Sequence, residues 1–152
     1  MFRGFSTVSI DSKGRLAVPS RFRDRLAVIA DGRVVQTLNP LDRALWLYPL
    51  TEWELIETKL ASLSDFDRQS RRAKQMMRGY AADTQLDAQG RILIPQELRE
   101  YAVLGRQAVV LGQGNKFEIW DQATWHTQRD QWLEQVGQED GEPSETLKTL
   151  SL

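Results

Sequence analysis

The sequence predicts an α+β, β-rich protein made of two tandem halves that complete one another's core, with flanking helices. Three observations carry this expectation. Ile10–Asp24 aligns without a gap onto Leu86–Glu100 at an offset of 76, matching Asp11 with Asp87, Gly14 with Gly90, Arg15 with Arg91, Pro19 with Pro95 and Arg23 with Arg99. Leu45–Pro49 and Trp53 match Phe117–Asp121 and Trp125 at an offset of 72, so the second copy has a loop four residues shorter. Each half holds only about 45 to 50 residues, which is marginal for independent folding.

Within each copy the elements follow from local chemistry. Val8, Ile10, Leu16 and Val18 share one parity, which predicts two strands joined by a hairpin at Asp11–Arg15. There Asp11 accepts bonds from turn N–H groups and Gly14 takes positive φ; Asp87–Arg91 repeats the pattern. Pro19 and Pro95 end the second strand and open a short helix, burying Phe22 and Leu26 in one half and Leu98 and Ala102 in the other. Two more strands follow, Val34–Leu38 with Leu45–Tyr48 and Ala108–Leu111 with Phe117–Trp120. Gly112–Lys116 reads as a hairpin turn, because no Lys-Ser/Thr opens a helix after it as a nucleotide-binding loop requires.

Between the halves, Thr51-Glu52-Trp53-Glu54 predicts a capping box opening a helix with Trp53, Ile56, Leu60 and Leu63 in an apolar stripe. A second helix is expected from Ser64 to Gly79, closed by that glycine, with Phe66, Ala73, Met77 and Tyr80 on one face and Arg68, Arg71, Arg72 and Arg78 broadly opposite. The last helix runs from Asp121 through Trp125, Arg129, Trp132 and Val136, and Gly137–Ser144 reads as a solvated acidic tail. Trp53, Trp125 and Trp132, on helix faces, are expected in a core or interface. The resulting divisions are a first repeat over 5–53, linking helices over 54–80, a second repeat over 81–125, and a C-terminal helix and acidic tail over 126–152.

Composition narrows the chemistry. The 152 residues carry no cysteine and a single histidine, His126, so disulfides, cysteine-based metal sites and thiol catalysis are excluded and no histidine pair exists to hold a metal. No paired-carboxylate or nucleophile motif stands out, so no catalytic residue, metal or cofactor is expected and the chain does not read as an enzyme. The longest apolar runs fall far short of the roughly 18 residues of a membrane span, and Met1–Ser6 does not open a signal peptide, which predicts a cytoplasmic protein.

Twenty basic residues nearly balance 21 acidic ones, but they are segregated. Residues 1–36 hold seven basic and three acidic groups, residues 68–78 five basic and none acidic, and residues 79–152 six against twelve. Local positive potential, rather than global excess, is what a polyanion requires. The hairpin loops are the sharper candidates: Lys13 and Arg15 stand beside a tight turn, where Gly14 would let a phosphate or base edge approach the backbone. Arginine grips two phosphate oxygens, or guanine O6 and N7, with its planar fork. A structural reading stands beside this one, in which Asp11 pairs with Arg15 and Asp87 with Arg91; the two readings can coexist. Arg23 and Arg99, followed by Asp24 and Glu100, read as scaffold ion pairs.

Two copies of D-x-x-G-R, each followed by an apolar-x-apolar-Pro segment and a short Arg-bearing helix, resemble the AbrB-like swapped-hairpin DNA-binding domain. The tandem arrangement, the opening Phe2-Arg3-Gly4 and Asn115–Trp120 look like the MraZ family across nearly the whole chain. The resemblance implies two AbrB-like halves in an intertwined pseudo-two-fold core. It further implies a repressor that binds repeated double-stranded operator DNA upstream of its own gene in the division and cell wall cluster. Such proteins assemble as ring homo-oligomers in the cytoplasm and on the nucleoid, with no membrane partner and no small-molecule substrate. The family's D-x-x-x-R element falls on Asp11 and Arg15 and on Asp87 and Arg91. The DNA-binding set expected here is therefore Arg3, Lys13, Gly14, Arg15, Gln89, Gly90 and Arg91, with Asp11 and Asp87 orienting the loops. The second loop departs from the first, with Ala88 and Gln89 where the first has Ser12 and Lys13. The alternative is an assembly or adaptor protein that uses its basic helix for an acidic protein partner, without DNA.

Overall fold

Strand pairing, more than any local turn, organises this chain. The computed structural model describes residues 1–136, 138 and 143–151, and the chain divides into two units, Met1–Gln122 and Ala123–Leu152. In the first unit the elements run β1 (Phe2–Ser9), β2 (Arg15–Ala17), α1 (Ser20–Ala30), β3 (Arg33–Leu38), β4 (Leu45–Pro49), α2 (Leu50–Ala61) and α3 (Arg68–Gly79). The second repeat follows as β5 (Ala82–Gln85), β6 (Arg91–Leu93), α4 (Gln96–Tyr101), β7 (Gln107–Gly114) and β8 (Phe117–Asp121).

Six strands form an antiparallel sheet in the order β1-β7-β8-β4-β3-β5, and β2 pairs with β6 in a separate two-stranded ribbon. Each half therefore gives its first strand to the other, β1 to β7 and β5 to β3. The expected local hairpin shrinks to a single bridge, Ile10 to Leu16, after which the two strands part. Pseudo-two-fold symmetry is visible in the register. Leu16 faces Ile92 at the centre of the ribbon, flanked by Arg15–Leu93 and Ala17–Arg91, and Trp46 faces Glu118 at the centre of the sheet, flanked by Leu45–Ile119 and Leu47–Phe117. The sequence's four-residue difference is not one loop. Pro95 follows Pro19 by 76 residues, Ala108 follows its counterpart Val34 by 74 and Phe117 follows Leu45 by 72, so two residues are lost before the third strand and two in the turn after it.

Side chains alternate across the sheet and bury both faces. One face holds Leu16, Val18, Phe22, Leu26, Val34, Leu45, Leu47, Ile92, Ile94, Leu98 and Phe117, with the Phe2, Phe22 and Phe117 rings 4.1 to 5.9 Å apart. The other takes Val35, Tyr48, Trp53, Leu60 and Met77 beneath α2 and α3. Phe22 and Leu26, and Leu98 and Ala102, are buried as the helical spacing predicts. Buried Gln36 ties the layers together: its Nε2 donates to Thr84 Oγ1 at 3.0 Å and to the Leu93 carbonyl at 2.8 Å, anchoring the ribbon to the sheet.

Helix starts differ from expectation where proline or aspartate competes. α2 begins at Leu50 with Pro49 in the cap position (φ −57°) and no side-chain cap, so Thr51 sits inside the first turn and the capping box does not form. α3 begins at Arg68, not Ser64, because Asp67 accepts from the Ser70 N–H at 2.9 Å. That leaves Phe66 outside the helix and wholly exposed, while Met77 turns inward and Tyr80 stays largely in solvent. Gly79 is the last helical residue, and the cap position falls to Tyr80.

In the second unit, α5 (Gln122–Gln135) buries none of its side chains; Trp125 and Trp132 meet edge to face at 5.8 Å, and Trp132 remains exposed, outside any core. A short α6 (Glu145–Thr149), capped by Ser144, was not foreseen. The acidic tail expected over Gly137–Ser144 lies outside the described residues except for Gln138, Pro143 and Ser144.

Candidate nucleic-acid interface

The two D-x-x-x-R loops lead into opposite ends of the short antiparallel ribbon, where Arg15 faces Leu93 and Arg91 faces Ala17. In the first, Asp11 Oδ1 accepts from the N–H groups of Lys13 (3.0 Å) and Arg15 (2.9 Å), and its Oδ2 accepts from Arg15 Nε at 2.7 Å. In the second, Asp87 Oδ1 accepts from Gln89 (2.9 Å) and Arg91 (2.8 Å), and its Oδ2 from Arg91 Nε at 3.1 Å. Arg91 Nη1 also lies 3.7 Å from Asp11 Oδ2, so the loops touch. The geometry is local in origin: an aspartate two residues ahead of a turn N–H closes an Asx turn, and a glycine at φ +86° or +73° completes it.

This arrangement fixes the charges. The Arg15 and Arg91 backbone N–H groups, helped by those of Lys13 and Gln89 and by the arginine side chains, hold the Asp11 and Asp87 carboxyls below their usual range, outweighing the partial loss of water contact. Both aspartates are ionised at neutral pH. Each orients its own arginine through Nε, and the side chains of Arg15 and Arg91 remain 33% and 28% exposed. Ser12 and Lys13, and Ala88 and Gln89, are exposed at the tips. With Lys13 the first loop carries net charge +1, whereas the second is neutral.

Three expectations change. Gly14 and Gly90 are buried and not open to a ligand: a Cβ on Gly14 would lie 2.6 Å from Cζ and Nη1 of Arg99, and one on Gly90 would lie 2.3 Å from Nε of Arg23. The glycines do permit a close approach, but by arginines of the opposite half. Arg23 and Arg99 are correspondingly not ion-paired with Asp24 and Glu100; Arg23 Nε donates to the Val18 carbonyl at 2.6 Å. Arg3 is exposed on β1 opposite Gln113, eight residues before Asp11 and roughly 25 Å of extended strand from it, so it does not join the loop cluster. The repeat of Arg23 as Arg99 at the common offset was the signal for a shared role.

An apolar depression lies elsewhere. About 760 Å³ is enclosed by Leu38, Leu41, Met76 and Tyr101, with Arg68 and Arg72 of α3 on its rim. Leu41 is 81% exposed on a loop tied by hydrogen bonds: Asn39 Oδ1 accepts from the Leu41 and Asp42 N–H groups and Tyr101 Oη donates to the Asn39 carbonyl. Among the described residues no helix is long and apolar enough to cross a membrane.

The duplication also appears in comparison with known proteins. The family described as "MraZ protein, putative antitoxin-like" matches the chain twice, over residues 1–76 and 77–142. A relative from Thioalkalivibrio sulfidiphilus (strain HL-EbGR7) is 49% identical, one from Marinomonas sp. (strain MWYL1) 48% and one from Halorhodospira halophila (strain DSM 244 / SL1) 47%, each over 152 residues and 100% of both chains. All three bear the name Transcriptional regulator MraZ. With two tandem family matches, and nearly half its residues shared with these relatives from end to end, this chain belongs to the MraZ family.

Proposed function

We propose that this protein is a DNA-binding transcriptional regulator whose paired loops, Asp11–Arg15 and Asp87–Arg91, deliver Arg15, Arg91, Lys13 and Gln89 to double-stranded DNA. The observation that carries this reading is the pair of exposed loops, each with a guanidinium oriented by its own carboxylate and the two linked where Arg91 Nη1 lies 3.7 Å from Asp11 Oδ2. A pre-oriented fork loses less freedom on gripping phosphate or guanine than a mobile one. Arg15 and Lys13 engage phosphates; Gln89, at the neutral tip, is suited to a base edge. Gly14 and Gly90 act through loop geometry, and Arg3 lies outside this contact.

The reading extends to repression of the protein's own division and cell wall gene cluster through repeated operator sites, by a ring homo-oligomer in the cytoplasm and on the nucleoid. One subunit offers few cations, so linked subunits on spaced repeats would supply affinity through effective concentration. Titration of purified protein against its own upstream DNA at several salt concentrations tests the proposal. Arg15→Ala is expected to lower affinity roughly ten- to a hundredfold, as loss of a charge-assisted bond does, while fold and assembly mass stay unchanged. Unchanged affinity would remove Arg15 from the mechanism.

The apolar depression beneath Arg68 and Arg72 favours a second reading, an adaptor for an acidic protein partner. A mobility shift that vanishes under excess random competitor DNA would favour that reading over the regulator.

A further inference from the structure

The fold crosses the two repeated arginines: Arg23, on α1 of the first half, lies against Gly90 of the second loop, and Arg99, on α4 of the second half, lies against Gly14 of the first. We propose that Arg23 and Arg99 are positioning residues, each clamping the other half's loop and setting the geometry of that one tip. The proposal rests on the reading of those tips as the DNA contact and assigns the residues that set their geometry.

Two sets of contacts carry it. The backbone of each turn glycine is tied to the opposite half, the Val18 N–H donating to the Gly90 carbonyl at 3.0 Å and the Ile94 N–H to the Gly14 carbonyl at 2.9 Å. Val18 and Ile94 immediately precede Pro19 and Pro95, which cap the helices bearing the arginines. A guanidinium then covers each glycine at a distance that leaves no room for a methyl group. A planar cation suits this position, since it can lie flat against a peptide, and neither arginine is ion-paired with a carboxylate among the described residues. The clamps are unequal. Arg23 Nε donates to the Val18 carbonyl, whereas the buried Arg99 Nε has no acceptor among the described residues. Of the two clamps, the Arg23 side chain is therefore the one anchored through its Nε.

Hydrogen exchange of the full-length protein, followed by mass spectrometry of peptides spanning 11–15 and 87–91, tests the crossing without DNA. Arg99→Ala is expected to speed exchange on the order of tenfold in 11–15 and leave 87–91 unchanged; Arg23→Ala should do the reverse. Loosening of both loops, of the loop in the same half, or of neither would overturn the proposal. If Arg99→Ala fails to fold, Arg99→Met keeps the aliphatic stem and carries the same expectation. On the protein's own upstream duplex, Arg99→Ala should weaken binding on the order of tenfold, adding little to Arg15→Ala but adding fully to Arg91→Ala. Crossed exchange in the two variants, with a wild-type protein that binds no DNA, would sink the proposed function and leave the clamp standing. DNA binding with uncrossed exchange would do the opposite.

Discussion

At residue scale the loops are built from aspartate, glycine and arginine, each with a separable role. Gly14 at φ +86° is in a left-handed conformation that costs other residues about 1–2 kcal/mol. Gly14→Ala should lose at least that much in urea unfolding, more because Arg99 must shift, and Gly90→Ala should behave alike. Asp11 and Asp87 have folded-state pKa values below those of the unfolded chain. Their contribution is therefore complete above the unfolded value of about 4 and lost as pH falls through the lower folded value. Loop protection measured by hydrogen exchange should accordingly be independent of their titration between pH 5 and 8 and should decline only in acid below about 4. Tyr48 works in the opposite sense: burial pushes its hydroxyl up to about 12, so stability should fall as pH rises above about 10, seen as a late phenolate in an ultraviolet titration, in which Tyr101, also raised by burial, joins it above the ordinary range. Asp11, Arg15 and their repeats were readable because each loop is closed by its own residues. The arginine over each glycine was not, since no spacing within a half announces a contact made between halves.

At the scale of elements, caps decide where helices begin. Asp67→Ala removes the acceptor for the Ser70 N–H and should cost about 1 kcal/mol. Thr51→Ala, where a capping box was expected, should cost less than about 0.5 kcal/mol, because the helix already starts at Leu50. Chemical denaturation of both variants checks the pair. Strand parity at Val8, Ile10, Leu16 and Val18 made the strands legible, and Pro19 and Pro95 the helices. What parity leaves open is partnership: Ile10 and Leu16 share one bridge, while every other pairing of their strands is with the second repeat. Gln36 shows the same limit. It reads as a polar residue in a strand, yet it holds the Leu93 carbonyl; Gln36→Leu strands that acceptor and should cost about 1–3 kcal/mol by the same measurement.

At the scale of the molecule, the exchange of β1 and β5 makes the halves interdependent, so neither has a complete sheet alone. Residues 1–80 expressed separately should fold only by pairing with another copy, with Leu16 facing its own counterpart, and their circular dichroism should depend on concentration. Joining the halves in one polypeptide has a further effect. A true homodimer presents identical tips and meets a duplex the same way from either direction. Here one tip carries lysine and the other glutamine, so a subunit has a front and a back. On the proposed reading it registers polarity along the double helix, and successive subunits would march in one sense down a row of sites instead of facing each other across a palindrome.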